Sequence, residues 1–65
     1  MAYDEFKEKI RKELDANPNG LTWTELKKRL KLPQKVPNNK WVSQMEKDIG
    51  LVRGRGEKGI VWRLK

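Results

Sequence analysis

The residues with the most to offer chemically are Lys40, Ser43, Gln44 and Lys47, which recur at the three- and four-residue intervals that bring side chains onto one face of an α-helix. Two ammonium groups, a hydroxyl and a carboxamide stand there with no acid among them. Such a face binds rather than cuts: ammonium groups neutralise phosphate or reach guanine acceptors, and a glutamine carboxamide matches the edge of adenine. A second set of cations, Arg53, Arg55, Lys58 and Arg63, lies in and around Gly54-Arg55-Gly56-Glu57-Lys58-Gly59. Catalysis has far less to work with. The chain holds no Cys and no His, so no thiolate nucleophile, disulfide or ordinary zinc site can be drawn. Ser43 lacks a histidine partner, and Glu46 and Asp48 have no matching acid pair elsewhere. Gly54, Gly56 and Gly59 spell G-x-G-x-x-G, but that motif holds phosphates only where it opens a helix, and here strand-like residues stand on both sides. No enzymatic activity, cofactor, metal or small-molecule substrate is expected.

The basic face needs a helix to carry it. Val42, Met45 and Ile49 form an apolar stripe on the opposite side, with Trp41 at its edge, where it either packs or contacts a ligand. Pro37 suits the helix start, an Asn of the Asn38-Asn39 pair suits its cap, and Gly50 suits its stop as a left-handed C′ residue.

Earlier in the chain, Tyr3, Phe6, Ile10 and Leu14 predict an amphipathic first helix over Tyr3 to Asp15, its surface laced with pairs such as Glu5 with Lys9 and Glu8 with Lys12. Asn17-Pro18-Asn19-Gly20 turns the chain. Thr22-Trp23-Thr24-Glu25 is a capping box that opens a second helix, Trp23 to about Lys31, with Trp23, Leu26 and Leu30 inward and Lys27, Lys28, Arg29 and Lys31 outside. Pro33 ends it, and Leu32 and Val36 are expected to face inward along the connection to the third helix. After Gly50 the apolar period changes from helical to alternating. Leu51 to Arg53 and Ile60 to Lys65 read as strands joined by a flexible glycine-rich tip, with Ile60, Trp62 and Leu64 on one face.

Charge is distributed unevenly. The 65 residues carry a net charge of +7, yet residues 1–16 hold four cations against five acids, and the remainder holds twelve cations against four. A basic excess confined to one part of a chain is the footprint of a polyanion binder, although a lysine-rich helix face or hairpin tip also serves solubility alone. There is no apolar run of membrane-spanning length and no recognisable signal peptide, so one small intracellular domain without a membrane partner is expected.

The order of helix, turn, a short strand near Leu21, helix, helix and hairpin resembles the winged-helix (winged helix-turn-helix) family over nearly the whole chain. Thr22-Trp23-Thr24-Glu25 with Leu26 and Leu30, the helix Asn38 to Ile49, and the end Gly50 to Leu64 carry the likeness. The resemblance implies an α+β domain over residues 1–65, with three helices and a C-terminal two-stranded hairpin, the wing. It also implies double-stranded DNA as partner. Lys40, Ser43, Gln44, Lys47 and Asn39 would then read bases from the major groove, while Arg53, Arg55, Lys58 and Arg63 of the wing, with Lys27, Lys28, Lys31 and Lys35, would contact the backbone. A cytoplasmic protein would follow, nucleoid-associated in a microbe, serving transcription regulation or replication, monomeric by default or dimeric on paired half-sites. Protein docking and RNA binding are the alternatives. Trp23 and Trp62 are expected in the core, the other use of such rings being to stack on a base or sugar.

Overall fold

The computed structural model describes residues 2–65. Three helices and a three-stranded antiparallel sheet give an α+β fold: α1 (Tyr3–Asp15), β1 (Leu21–Thr22), α2 (Trp23–Leu30), α3 (Asn39–Asp48), β2 (Leu51–Gly56) and β3 (Gly59–Leu64). The last strand is central, in the order β1-β3-β2. Among the described residues no helix is long and apolar enough to cross a membrane.

Each helix owes its limits to local chemistry. The α1 stripe places Phe6, Ile10 and Leu14 in the core, and the Asn17 side chain closes its end by donating to the Glu13 carbonyl at 2.7 Å. The α2 capping box is complete: the Glu25 N–H donates to the Thr22 hydroxyl at 3.2 Å, and the Thr22 N–H donates to the Glu25 carboxylate at 2.9 Å. These bonds, first that from the Thr22 backbone and then that from its hydroxyl, hold the Glu25 carboxyl below its usual range. In α3 the cap is Asn38, whose Oδ1 accepts from the N–H groups of Lys40 and Trp41 at 3.0 and 3.2 Å. Pro37 therefore stands before the cap and not inside the helix. Gly50 has φ 69° and follows the last turn, the conformation expected of a C′ glycine.

The second helix stops one residue earlier than its charge pattern suggests. Lys31 is left-handed, with φ 54°, and the next N–H, that of buried Leu32, reaches back to the Lys27 carbonyl at 3.0 Å. This is the closing geometry of a helix with its C′ residue in the region that favours glycine. Exchanging Lys31→Gly should therefore raise unfolding stability by about 0.5–1 kcal/mol, since relief of the left-handed strain outweighs the added freedom of the unfolded chain. Urea titration followed by circular dichroism would measure it.

The core is one cluster. Phe6, Ile10, Leu14, Leu21, Leu26, Leu32, Val42, Met45, Leu51 and Trp62 are buried in it, and among the described residues no polar residue is. An aromatic chain runs through it from end to end: Tyr3 meets Trp41 edge-on at 5.8 Å, Trp41 and Trp23 both pack on Phe6, and Trp23 stacks on Trp62 with centroids 5.2 Å apart. Trp23 and Trp62 thus join α2 to the sheet, and Trp41 fixes α3 to α1. Trp23 also donates its indole N–H to the Lys35 carbonyl at 3.0 Å. That bond draws the connection between α2 and α3 inward at Lys35. The next side chain, Val36, consequently turns to solvent and is 73% exposed, against the expectation that it faces inward.

The hairpin is longer than its glycines suggest. β2 and β3 pair from Leu51 with Leu64 to Gly56 with Gly59, which leaves only Glu57-Lys58 as the turn. Glycine stands at position 56 of the strand for a packing reason: a Cβ there would stand 2.7 Å from Cγ2 of Val61. Alternation puts Leu51, Arg53 and Arg55 on the face of Leu64, Trp62 and Ile60, towards the helices, and puts Arg63 on the opposite face.

Candidate nucleic-acid interface

Cations and acids are sorted across the molecule. The ion pairs among the described residues join Lys7 to Asp4, Arg11 to Glu8 and Arg29 to Glu13. The partners on α1 are spaced by three residues, not by the expected four, because the Arg11 fork takes both oxygens of Glu8, at 2.7 and 3.2 Å. Arg11 holds the Glu8 carboxyl below its ordinary range. All three pairs have a member on α1, and all are exposed enough for their worth to be small.

The cations of the sequence-based site are placed differently. Lys40, Ser43, Gln44 and Lys47 lie exposed on one side of α3, opposite buried Val42 and Met45. Asn39 is the first residue of that helix and is exposed beside the cap. Lys28, Lys31 and Lys35 are exposed and Lys27 is partly covered, along α2 and the connection after it. Arg53 lies over the Trp62 ring with its guanidinium carbon 5.7 Å from the centroid, so its base is fixed by the core while its charge remains exposed.

Arg55, read from sequence as part of a mobile tip, is a strand residue paired with Ile60, and only Lys58 stays in the turn. The Lys58 charge is near enough to Glu25, at the start of α2, to help lower that carboxyl after the two bonds from Thr22. Arg63 does not share the face of Arg53. With Gly54 and Val61 it is on the side of the sheet turned away from the helices, and these three line a shallow concavity of about 150 Å³ that Asn19 and Arg55 border.

The α3 face is less purely basic than its letters suggest. Asp48 stands one turn beyond Gln44 and accepts from its Nε2 at 3.0 Å, and Asp48 also accepts from the Tyr3 hydroxyl at 2.7 Å. Tyr3 and Asp48 escaped the sequence reading because one joins α1 to α3 across 45 positions. The Gln44 to Asp48 spacing was the only available signal.

The Tyr3 phenol is pushed up to about 12, first by its partial burial and then by its bond to the Asp48 carboxylate; the same bond, followed by that from Gln44, lowers the Asp48 carboxyl. The signs decide where stability changes. Tyr3 ionises at about 10 in the unfolded chain, so its contribution is complete below that pH and is lost as pH rises towards 12. The contribution of Asp48 is complete above the ordinary carboxylate range and is lost on acidification. Tyr3→Phe should flatten the alkaline fall in melting temperature between about pH 10 and 12 relative to the parent chain, measured by thermal denaturation across that range.

No family model matches the chain, and no curated protein or solved structure matches it.

Proposed function

We propose that the protein binds double-stranded DNA as a winged-helix module, with α3 in the major groove and the β2–β3 hairpin along the backbone or in the minor groove. The observation that carries this reading is the sorting of charge. Lys27, Lys28, Lys31, Lys35, Lys40, Lys47, Arg53, Arg55, Lys58 and Arg63 have no carboxylate oxygen within 4.0 Å among the described residues; Lys9 and Lys12 on α1 are unpaired too, but α1 also carries five acids, and each ion pair, those of Lys7, Arg11 and Arg29, has its acid there. A surface kept soluble by charge alone intersperses both signs, and cations left without partners over one part of a domain favour a polyanion. The order of elements and the β1-β3-β2 sheet are compatible with the winged-helix arrangement.

In this reading Lys40, Ser43, Gln44 and Lys47, with Asn39 at the helix mouth, face the base edges. Arg53, Arg55 and Lys58 neutralise phosphates beside the hairpin, and Lys27, Lys28, Lys31 and Lys35 do so beside α2. Arg63, on the far face of the sheet, reaches the same backbone only around the hairpin's edge and contributes least. The activity fits transcription regulation or a replication accessory role, exercised by a monomer or by two copies on paired half-sites. Docking to a protein has Val36 and Ile60 in its favour, the two large apolar residues that stand exposed among the described residues, but single exposed apolar residues are ordinary on a surface.

An amide chemical-shift titration with a short mixed-sequence duplex at low salt tests the proposal. Shifts should concentrate at residues 39–47 and 53–58 and reverse on addition of salt. With about five phosphates engaged, log K should fall against log salt with a slope of about −4 to −5. Shifts confined to α1, or a slope near zero, would remove the DNA reading. Structured RNA competing better than duplex DNA would redirect it, because the A-form major groove does not admit a helix.

A further inference from the structure

We infer that Asp48, held by Tyr3, is the positioning residue that makes Gln44 read adenine rather than guanine; this rests on the DNA reading given above. The geometry is a relay of two hydrogen bonds. The Tyr3 hydroxyl donates to Oδ2 of Asp48 at 2.7 Å, and the Gln44 carboxamide donates through Nε2 to Oδ1 of Asp48 at 3.0 Å. Tyr3 in turn is fixed by the edge-on packing of its ring against Trp41. The last residue of α3 is thereby tied to the first of α1, and its carboxylate is aimed along the helix at the side chain one turn back.

The chemistry of the three groups sets the consequence. A carboxylate only accepts, so the end of the Gln44 amide turned towards Asp48 must be its nitrogen. A free glutamine can rotate its amide and present either its two N–H donors or one donor with one acceptor. The first arrangement suits guanine, whose major-groove edge offers two acceptors, N7 and O6; the second suits adenine, which offers N7 as acceptor and N6 as donor. With one N–H committed to Asp48, the groups that remain are one N–H and Oε1. That pair is complementary to adenine and leaves a guanine O6 facing an acceptor. Asp48 is not itself a base contact, since its two oxygens are occupied by Tyr3 and Gln44 and its charge would oppose phosphate. Its effect passes through Gln44.

The test is selection from a pool of duplexes with randomised centres, followed by affinity measurements on the selected duplex and on versions in which one A·T pair is changed to G·C. For the parent protein one such change should cost about tenfold or more, the discrimination of a bidentate contact. In Asp48→Ala and Asp48→Leu, which offer Gln44 no acceptor, the same change should cost about threefold or less, while affinity for unrelated duplex rises because a negative charge has been removed. Gln44→Ala should abolish the discrimination at that position altogether. Tyr3→Phe, which keeps Asp48 but frees one of its oxygens, should fall between. In the free protein the Gln44 side-chain amide resonances should move in Asp48→Leu and in Tyr3→Phe. A role of Asp48 in stability alone would leave the adenine-to-guanine ratio untouched. Unchanged discrimination in both Asp48 variants, or duplex binding by the parent with no adenine dependence, overturns the inference and leaves DNA binding standing. Failure of the parent to retain any duplex at low salt removes the DNA reading and this inference with it.

Discussion

Replacing Trp62 by alanine should leave most of the molecules unfolded at room temperature. Trp62 is 1% exposed, and it is the largest of the fully buried side chains. It is the residue through which three elements meet: it pairs with Leu21 of β1 and Arg53 of β2, and Trp23 of α2 stacks on its ring. Truncating a buried Trp to Ala costs about 3–5 kcal/mol. A chain of 65 residues with no Cys to form a disulfide has a total stability of roughly 3–5 kcal/mol, so the loss is as large as the whole. The amide spectrum should collapse to the narrow dispersion of an unfolded chain. Trp62→Phe retains a ring against Trp23 and should cost only about 1–2 kcal/mol, keeping the dispersion while lowering the urea midpoint. If Trp62→Ala stays folded with an unchanged midpoint, the stack of Trp23 on Trp62 is not what joins α2 to the sheet.

Those parts of the fold that were legible in the sequence depend on neighbours in the chain. The α1 stripe, the Thr22–Glu25 box, a cap from the Asn38-Asn39 pair, which proves to be Asn38, and the Gly50 stop are each decided within a turn of helix, and each stands where its residue types place it. The alternation of Ile60, Trp62 and Leu64 likewise gave the correct face. What was misread depends on residues far apart. Gly54 and Gly56 look like a loop because glycine weakens a strand, but both pair with β3, and the Val61 side chain that crosses Gly56 leaves no room there for a Cβ. Val36 looks apolar enough to bury, but its orientation follows from the bond between Trp23 and the Lys35 carbonyl. The basic face of α3 was legible as a face, yet the state of Gln44 was not, because its Asp48 partner is itself fixed by Tyr3 at the other end of the chain. Periodicity assigns a side to each residue. It does not say which hydrogen bonds that side has already spent.

Exchanging both Lys40 and Lys47 for glutamate should weaken duplex binding by at least about sixtyfold at about 0.1 M salt. Each neutralised phosphate contributes about −0.9 to the salt slope, a factor of about eight at that concentration, so two lost contacts multiply to this value before any repulsion by the new carboxylates is added. The slope itself should become less negative by about 1.8. The fold should tolerate the change. Lys40 lies near the start of α3, whose first turn holds no acid, and a glutamate there interacts favourably with the helix dipole; Lys47 lies in the last turn, where the exchange is unfavourable. The two effects are each about 0.3–1 kcal/mol and opposite in sign. The control is Lys9→Glu with Lys12→Glu, which alters net charge by the same amount but on α1. Exposed charges more than about 10 Å from the phosphates are largely screened at this ionic strength, so the control should change affinity only a few-fold. Equal weakening by both pairs would mean that DNA responds to the total charge and not to a face. Neither pair weakening binding would remove α3 from the interface and leave the hairpin and α2 cations to account for it. Only the unequal outcome, with the slope reduced in the α3 variant alone, fits a helix whose unpaired lysines lie against the phosphates.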